Sequence, residues 1–336
     1  MTQITLADIR SAENTIRGTA IETPFIPSPY LSRTFQTEVL LKLESMQPVG
    51  AFKLRGAANA IANLPDGVTG VTCCSTGNHG RGVAFAALKA GIPAVICMSS
   101  LVPQIKVDGI RALGADVRII GRSQDDAQAE VERLVASEGL TEVSPFDDVF
   151  VIAGQGTIAL EMLAQRPDLE TILVPLSGGG LAGGIALAAK SVKPSIKVIG
   201  ITMERGAAMY QSIRAGHPVE VDEVPSLADS LGGGIMPDNR LTLPLCSQYL
   251  DDTVLVSEEQ IYHAMQTLYY QDRLVAEGAS CVGIAALQAG LVADLKGPVG
   301  LVITGRNVDA HLFADIIAGR DLTLGETRIK GAVYTG

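Results

Sequence analysis

The feature that most constrains this chain is a recurrence of short apolar runs bounded by glycine or proline, at residues 68–74, 93–98, 115–120, 171–176, 197–203 and 300–304. Each is five to seven residues long and rich in Val and Ile. Unbroken apolar composition of that length marks strands covered on both faces, as in a parallel sheet. Between the runs lie segments of helical spacing, at residues 80–90, 105–113, 125–137, 157–165, 181–192, 258–271 and 281–295. Strand and helix alternate, so the expected fold class is α/β: open, twisted, mostly parallel sheets flanked by helices and built from right-handed crossovers. A chain of 336 residues exceeds what one core usually organises, and the pattern divides into groups at roughly 69–148 and 149–336.

Composition narrows the function classes. The chain is 47% hydrophobic and 18% charged, with net charge −10, which excludes a disordered or fibrous protein. No Lys/Arg-rich run could track a polyanion, so nucleic acid is not an expected partner. The start, MTQITLADIR, lacks an apolar leader, and no uncharged stretch of about 18 apolar residues marks a membrane span. A cytoplasmic location follows as the default expectation. The five cysteines lack paired metal or redox spacing, the four histidines show no ligand pattern, and no metal is expected.

Three segments carry chemistry. SGGGLAGG, residues 177–184, follows an apolar run and opens an Ala-rich helix, so backbone N–H groups and a helix N-terminus could hold an anion. Gly178, Gly180 and Gly183 also satisfy GxGxxG, with Glu204 about twenty residues on, so a dinucleotide, another phosphate or a mere tight turn all remain open. GAFKLRGA places Lys53 between an aromatic and an apolar residue, a setting that would desolvate the amine and lower its pKa; the bland alternative is a solvated lysine at a helix start. STGNHGRG, residues 75–82, follows the run ending in Cys74 and precedes a helix, placing hydroxyls, an amide and an imidazole where α/β sheets bind ligands; otherwise it is a capped polar loop.

Together these segments resemble the fold-type II pyridoxal-phosphate enzymes of the serine/threonine dehydratase and serine racemase group. KLESMQPVGAFKLRGA, STGNHGRGVA, PFDDVFVIAGQGTIALE, VPLSGGGLAGG, LADSLGGG, VAEGAS and ITGRNVD occur in that family's order along nearly the whole chain. The resemblance implies pyridoxal 5'-phosphate as cofactor and Lys53 as the catalytic Schiff-base residue, with Phe52 beside the ring. It implies Asn78 on the ring's phenolic oxygen and Gly178, Gly179, Gly180 and Leu181 around the phosphate. Thr304 would face the pyridine nitrogen, and Ser75, Thr76 and His79 lie in the loop that holds the substrate carboxylate. A neutral hydroxyl at Thr304 leaves the pyridine largely unprotonated, which suits β-elimination better than a long-lived carbanion.

The implied reaction is an ammonia-lyase (dehydratase) converting a β-hydroxy amino acid to a 2-oxo acid and ammonia, with Lys53 as general base. The resemblance further implies a large domain of residues 1–68 and 149–336, a small domain of 69–148 inserted in it, and a homodimer or higher homo-oligomer. Thr76 stands where serine racemases carry a second serine, which disfavours racemisation. Thr202 and Ala208 stand where the family's glutamate and aspartate cation ligands would be, and Ser230 and Arg306 replace family glycines. ITMERGAAMYQSIRAGHPVEV, LADSLGGGIMPDNRLT and ITGRN are similar to the hydroxyectoine-utilisation dehydratases, which implies a hydroxylated diamino acid as substrate. Threonine, serine and 3-hydroxyaspartate stay open as substrates, as does serine racemase activity. From the residues alone, so does a nicotinamide-dependent oxidoreductase.

Overall fold

The computed structural model describes residues 4–75, 77–100, 102 and 104–336. A six-stranded sheet runs in the order β1-β2-β10-β7-β8-β9: β1 (Phe25–Pro27), β2 (Val39–Lys42), β7 (Thr171–Pro175), β8 (Lys197–Met203), β9 (Asp252–Val256) and β10 (Val299–Val302). All its pairs are parallel except β1 with β2. A four-stranded parallel sheet follows the order β5-β4-β3-β6: β3 (Val71–Cys74), β4 (Ala94–Met98), β5 (Asp116–Ile119) and β6 (Thr141–Glu142). A hairpin of β11 (Leu322–Leu324) and β12 (Thr327–Ile329) completes the strands. The α/β architecture expected from the alternation is therefore present, with helices packed on the sheets.

The central strands of the two larger sheets, β7 and β10 in one and β3 and β4 in the other, are buried on both faces, as unbroken apolar runs require. In β7, Leu173 enters the core shared with the helices Glu258–Asp272 and Gly278–Gln288, while Ile172 and Val174 enter the core shared with Val149–Gln165 and Gly180–Val192. In β3, Cys73 and Cys74 point into different clusters, as strand alternation demands, and all five cysteines are buried. No helix among the described residues is long and apolar enough to cross a membrane.

Periodicity alone places some boundaries differently. The helix expected at 157–165 begins at Val149, because Asp148 accepts hydrogen bonds from the Phe150 and Val151 amides (2.8 and 2.9 Å) and caps it. The helix expected at 281–295 spans Gly278–Gln288 and stops before Gly290, whose φ of +67° leaves the helical region. Strand β2 was not among the expected runs and joins the large sheet, so that sheet draws on chain both before and after the small one. Its last residue, Lys42, is wholly buried, which a pattern reading does not anticipate.

Lys42 belongs to a buried ionic cluster. Its Nζ donates to the Thr23 carbonyl at 2.7 Å and pairs with Glu161. Arg55 donates from Nε and Nη2 to Glu44, both at 2.8 Å, and from Nη2 to Glu161 at 2.8 Å. Two cations meet two carboxylates, so the group is balanced in charge. Burial lowers the Lys42 pKa despite both carboxylates; burial would raise that of Glu44, but Arg55 and Lys42 outweigh it and hold it low. The cluster joins β2, the helix Lys53–Ala62 and the helix Val149–Gln165, and so fixes where Lys53 begins its helix.

Candidate active site

The site gathers where the carboxyl ends of the strands release their loops. Lys53 opens the helix Lys53–Ala62, and the preceding residue is tied to the end of β10: the Phe52 amide donates to the Thr304 carbonyl at 2.9 Å. A Cβ on Gly82 would lie 3.2 Å from the Lys53 carbonyl, so a small residue there lets the helix Asn78–Ala90 approach. The Lys53 Nζ donates to the Pro145 carbonyl at 2.7 Å and sits 5.4 Å from the Phe52 ring centroid. No carboxylate pairs with it among the described residues. Burial pushes its pKa down to about 8, so the neutral, nucleophilic amine is accessible near neutral pH.

Beside it stands a chain of side-chain amides, carboxylate and hydroxyls. Asn78 Nδ2 donates to both Glu277 oxygens (2.9 and 3.1 Å), and its Oδ1 accepts from Asn307 Nδ2 at 2.6 Å. Glu277 is 4% exposed, and burial raises its pKa to about 7. The Thr304 and Ser280 hydroxyls meet at 2.9 Å, and Ser280 Oγ also accepts from the Gly305 amide and contacts the Gly305 carbonyl, each at 2.8 Å.

The glycine loop offers backbone only. Gly179 has φ +88° and would place a Cβ 2.6 Å from Met209 Cε and 3.0 Å from Cys246 Sγ. A Cβ on Gly178 would lie 2.3 Å from the Phe146 ring, and one on Gly180 2.9 Å from the Phe146 backbone. Side chains are thereby excluded, and the loop leads directly into the helix Gly180–Val192, with Leu181 buried behind it. Phe146 follows Pro145, so one short segment touches both Lys53 and the glycine loop. Asp147 anchors that segment by accepting from the Arg240, Leu241 and Thr242 amides at 2.8–3.0 Å.

Of the residues singled out in the sequence, Phe52, Lys53 and Thr304 are joined by direct contacts, and Asn78 is joined to Glu277, next to Gly305. Ser75 Oγ accepts from the Gly77 and Gly80 amides (3.3 and 3.0 Å), closing the loop at the start of the next helix. Thr76 lies outside the described residues. The His79 imidazole is turned inward: Nε2 bonds the Val143 carbonyl at 2.8 Å, Nδ1 is buried without a described partner, and burial lowers its pKa to about 3. The ring is therefore neutral and buried. Thr202 and Ala208 are buried, and no cluster of three or more His, Cys, Asp or Glu able to hold a metal occurs among the described residues. Glu277, Ser280 and Asn307 were not singled out, although VAEGAS and ITGRNVD contain them; no local spacing reveals contacts across some 200 residues.

Comparison with known proteins then bears on what this arrangement serves. A family model described as "Pyridoxal-phosphate dependent enzyme" matches residues 16–305. A protein of Sinorhizobium fredii, provisionally named a threonine dehydratase, is 51% identical over 95% of this chain and 97% of its own. An L-threonine ammonia-lyase of Thermotoga maritima is 41% identical, over 94% of this chain and 78% of its own. The structure of maize serine racemase superposes with a TM-score of 0.88 at 30% identity, covering 94% of this chain and 97% of that one.

Proposed function

The chain belongs to the pyridoxal-phosphate dependent enzyme family, and from that premise we propose that it eliminates water from a β-hydroxy amino acid at Lys53, releasing a 2-oxo acid and ammonia. At the coarser level it is a threonine dehydratase-like lyase dependent on pyridoxal phosphate, and a dinucleotide is not the family's cofactor.

The residues fit that cofactor. A desolvated amine without a carboxylate partner among the described residues suits a carbonyl, and a loop whose three glycines leave no room for a Cβ suits a phosphate monoester. When bound, pyridoxal phosphate withdraws electrons from the amino acid and acidifies its Cα proton. In this reading Gly178, Gly179, Gly180 and Leu181 would hold the phosphate and Asn78 the phenolic oxygen. Phe52 would pack at the ring, Thr304 would face the pyridine nitrogen, and the segment of Ser75 and His79 would receive the carboxylate. His79 then contributes backbone rather than its ring.

Lys53 takes the Cα proton, which a pKa near 8 permits, while the Pro145 carbonyl orients Nζ and burial keeps bulk water away. The β-hydroxyl leaves as water, balanced by the proton that Lys53 removed from Cα, and hydrolysis of the released enamine through its imine returns a water, so substrate equals 2-oxo acid plus ammonia in atoms. We also take residues 69–148 as a small domain inserted in one formed by 1–68 and 149–336. The observation that carries the proposal is the Lys53 amine held by the Pro145 carbonyl at 2.7 Å with no carboxylate paired to it among the described residues. Borohydride reduction of the yellow holoenzyme should fix the cofactor on the Lys53 peptide; a colourless protein, or label elsewhere, sinks the proposal.

Substrate choice is the finer question. The resemblance of residues 201–221 to hydroxyectoine-utilisation dehydratases supports a hydroxylated diamino acid. A dicarboxylic substrate such as 3-hydroxyaspartate would need a cation: Arg81 and Arg306 follow Asn78 and Thr304 closely in the chain, and Arg306 is exposed with Nη1 3.6 Å from Met46 Sδ. Arg81, whose Nε is buried without a described partner, has its pKa lowered by burial and by the like charge of Arg306, and neither forms an ion pair among the described residues. Measuring 2-oxo acid and ammonia from threonine, serine, 3-hydroxyaspartate and hydroxyectoine-derived amino acids separates these readings. Racemisation, which turns on Thr76, would appear as D-amino acid in the same assay.

A further inference from the structure

The Asn78 amide is oriented by a chain of contacts that can be read in only one sense. Asn307 Nδ2 lies 3.0 Å from the Val49 carbonyl, which can only accept, so that nitrogen is a donor. It also faces the Asn78 oxygen at 2.6 Å, which leaves Asn78 Nδ2 facing Glu277. Both Glu277 oxygens lie on one side of the Asn78 amide nitrogen, at 2.9 and 3.1 Å, because a carboxylate's two oxygens subtend a narrow angle there, and Nδ2 has no other partner among the described residues. We infer that Glu277 is a positioning residue: with Asn307 it presents a single N–H of Asn78 to the ring site and places a carboxylate directly behind that donor. The inference rests on the reading that Lys53 carries pyridoxal phosphate.

A purely structural acceptor would not need a charge. Glu277 is buried, its contacts are neutral donors, Asn78 and the Ser230 hydroxyl (3.3 Å), and no cation pairs with it among the described residues. Charges act on it only from farther off: Asp229 opposes its ionisation and Lys106, itself paired to Asp229 at 3.4 Å, favours it. Behind it, the Cys281 thiol is pushed up by burial and by Glu277 itself. Its carboxyl therefore titrates around pH 7, where the charge behind Asn78 changes. A negative charge there disfavours proton loss from whatever group accepts the free N–H, and so raises that group's pKa.

The test uses Glu277→Gln, which keeps an acceptor but removes the charge, together with Glu277→Ala and Asn307→Leu. In Glu277→Gln the pH midpoint of the holoenzyme's visible absorbance should fall by about one unit. Glu277→Ala and Asn307→Leu, which free the amide to turn, should weaken pyridoxal phosphate binding about tenfold, measured by fluorescence quenching of the apoprotein. Glu277→Asp should restore part of the midpoint. A midpoint and cofactor affinity equal to wild type in Glu277→Gln and Glu277→Ala, with only thermal stability changed, would overturn the inference. Failure of borohydride to label Lys53 in the wild type would instead overturn the reading beneath it.

Discussion

Lys53 and Arg55 are basic residues two positions apart on one helix, the first partly and the second wholly buried, and they live in opposite electrostatic settings. Arg55 meets Glu44 and Glu161 in a charge-balanced cluster that also contains Lys42, and those carboxylates hold it firmly protonated against the cost of burial. Among the described residues Lys53 meets a backbone carbonyl and a phenylalanine ring with no carboxylate paired to it, and burial lowers its pKa to about 8. The contrast teaches how one helix serves two purposes. The saturated cation anchors the element to β2 and to the helix Val149–Gln165, and the uncompensated one keeps its lone pair available.

The sharpest way to break the comparison is Lys53→Ala. Turnover should fall by about three or more powers of ten, measured as 2-oxo acid release, because both nucleophile and base are gone. Turnover retained would mean that the unpaired cation is not the reacting one.

Next in size is Arg55→Met. It leaves Glu44 buried without its main partner and should cost about 3–5 kcal/mol in urea unfolding. Adding Glu44→Leu should return a good part of that loss, whereas a single-site cost below about 1 kcal/mol would show that the cluster does not anchor the helix.

Gly179→Ala probes the backbone side of the site. A Cβ at φ +88° and against Met209 and Cys246 should cost about 1–3 kcal/mol of stability and weaken cofactor binding measurably, while Ser177→Gly should do neither.

The smallest effect is the pH slope of the apoprotein. Between the folded Lys53 pKa of about 8 and its ordinary value of 10.5, the unfolded chain binds more protons than the folded one. Stability should therefore rise with pH through that window, and Lys53→Met should flatten the rise in denaturant midpoints.

Some of this was legible in the order of residues. Runs such as 171–176 and 197–203 emerge as β7 and β8 nearly to the residue, because a strand buried on both faces must be continuously apolar. Lys53 stood out for its apolar neighbours, and the glycine loop for its density of residues without Cβ. Strand β2 was not legible, since its buried Lys42 reads as a surface residue until Thr23 and Glu161 are found around it. Nor was Glu277, whose partners Asn78 and Ser230 are 199 and 47 residues away. His79 was singled out in its segment, but the inward bond of its ring to the Val143 carbonyl, 64 residues away, was not legible.

By itself, then, the sequence determined what local rules can determine: the alternation of strand and helix, the tight turns that glycine permits, and a lysine in apolar company. Only the tertiary structure decided which charges are compensated. Pairing and desolvation depend on groups brought from distant segments, Glu161 to Arg55 across 106 residues and Pro145 to Lys53 across 92, and those distances are what make one cation an anchor and the other a base.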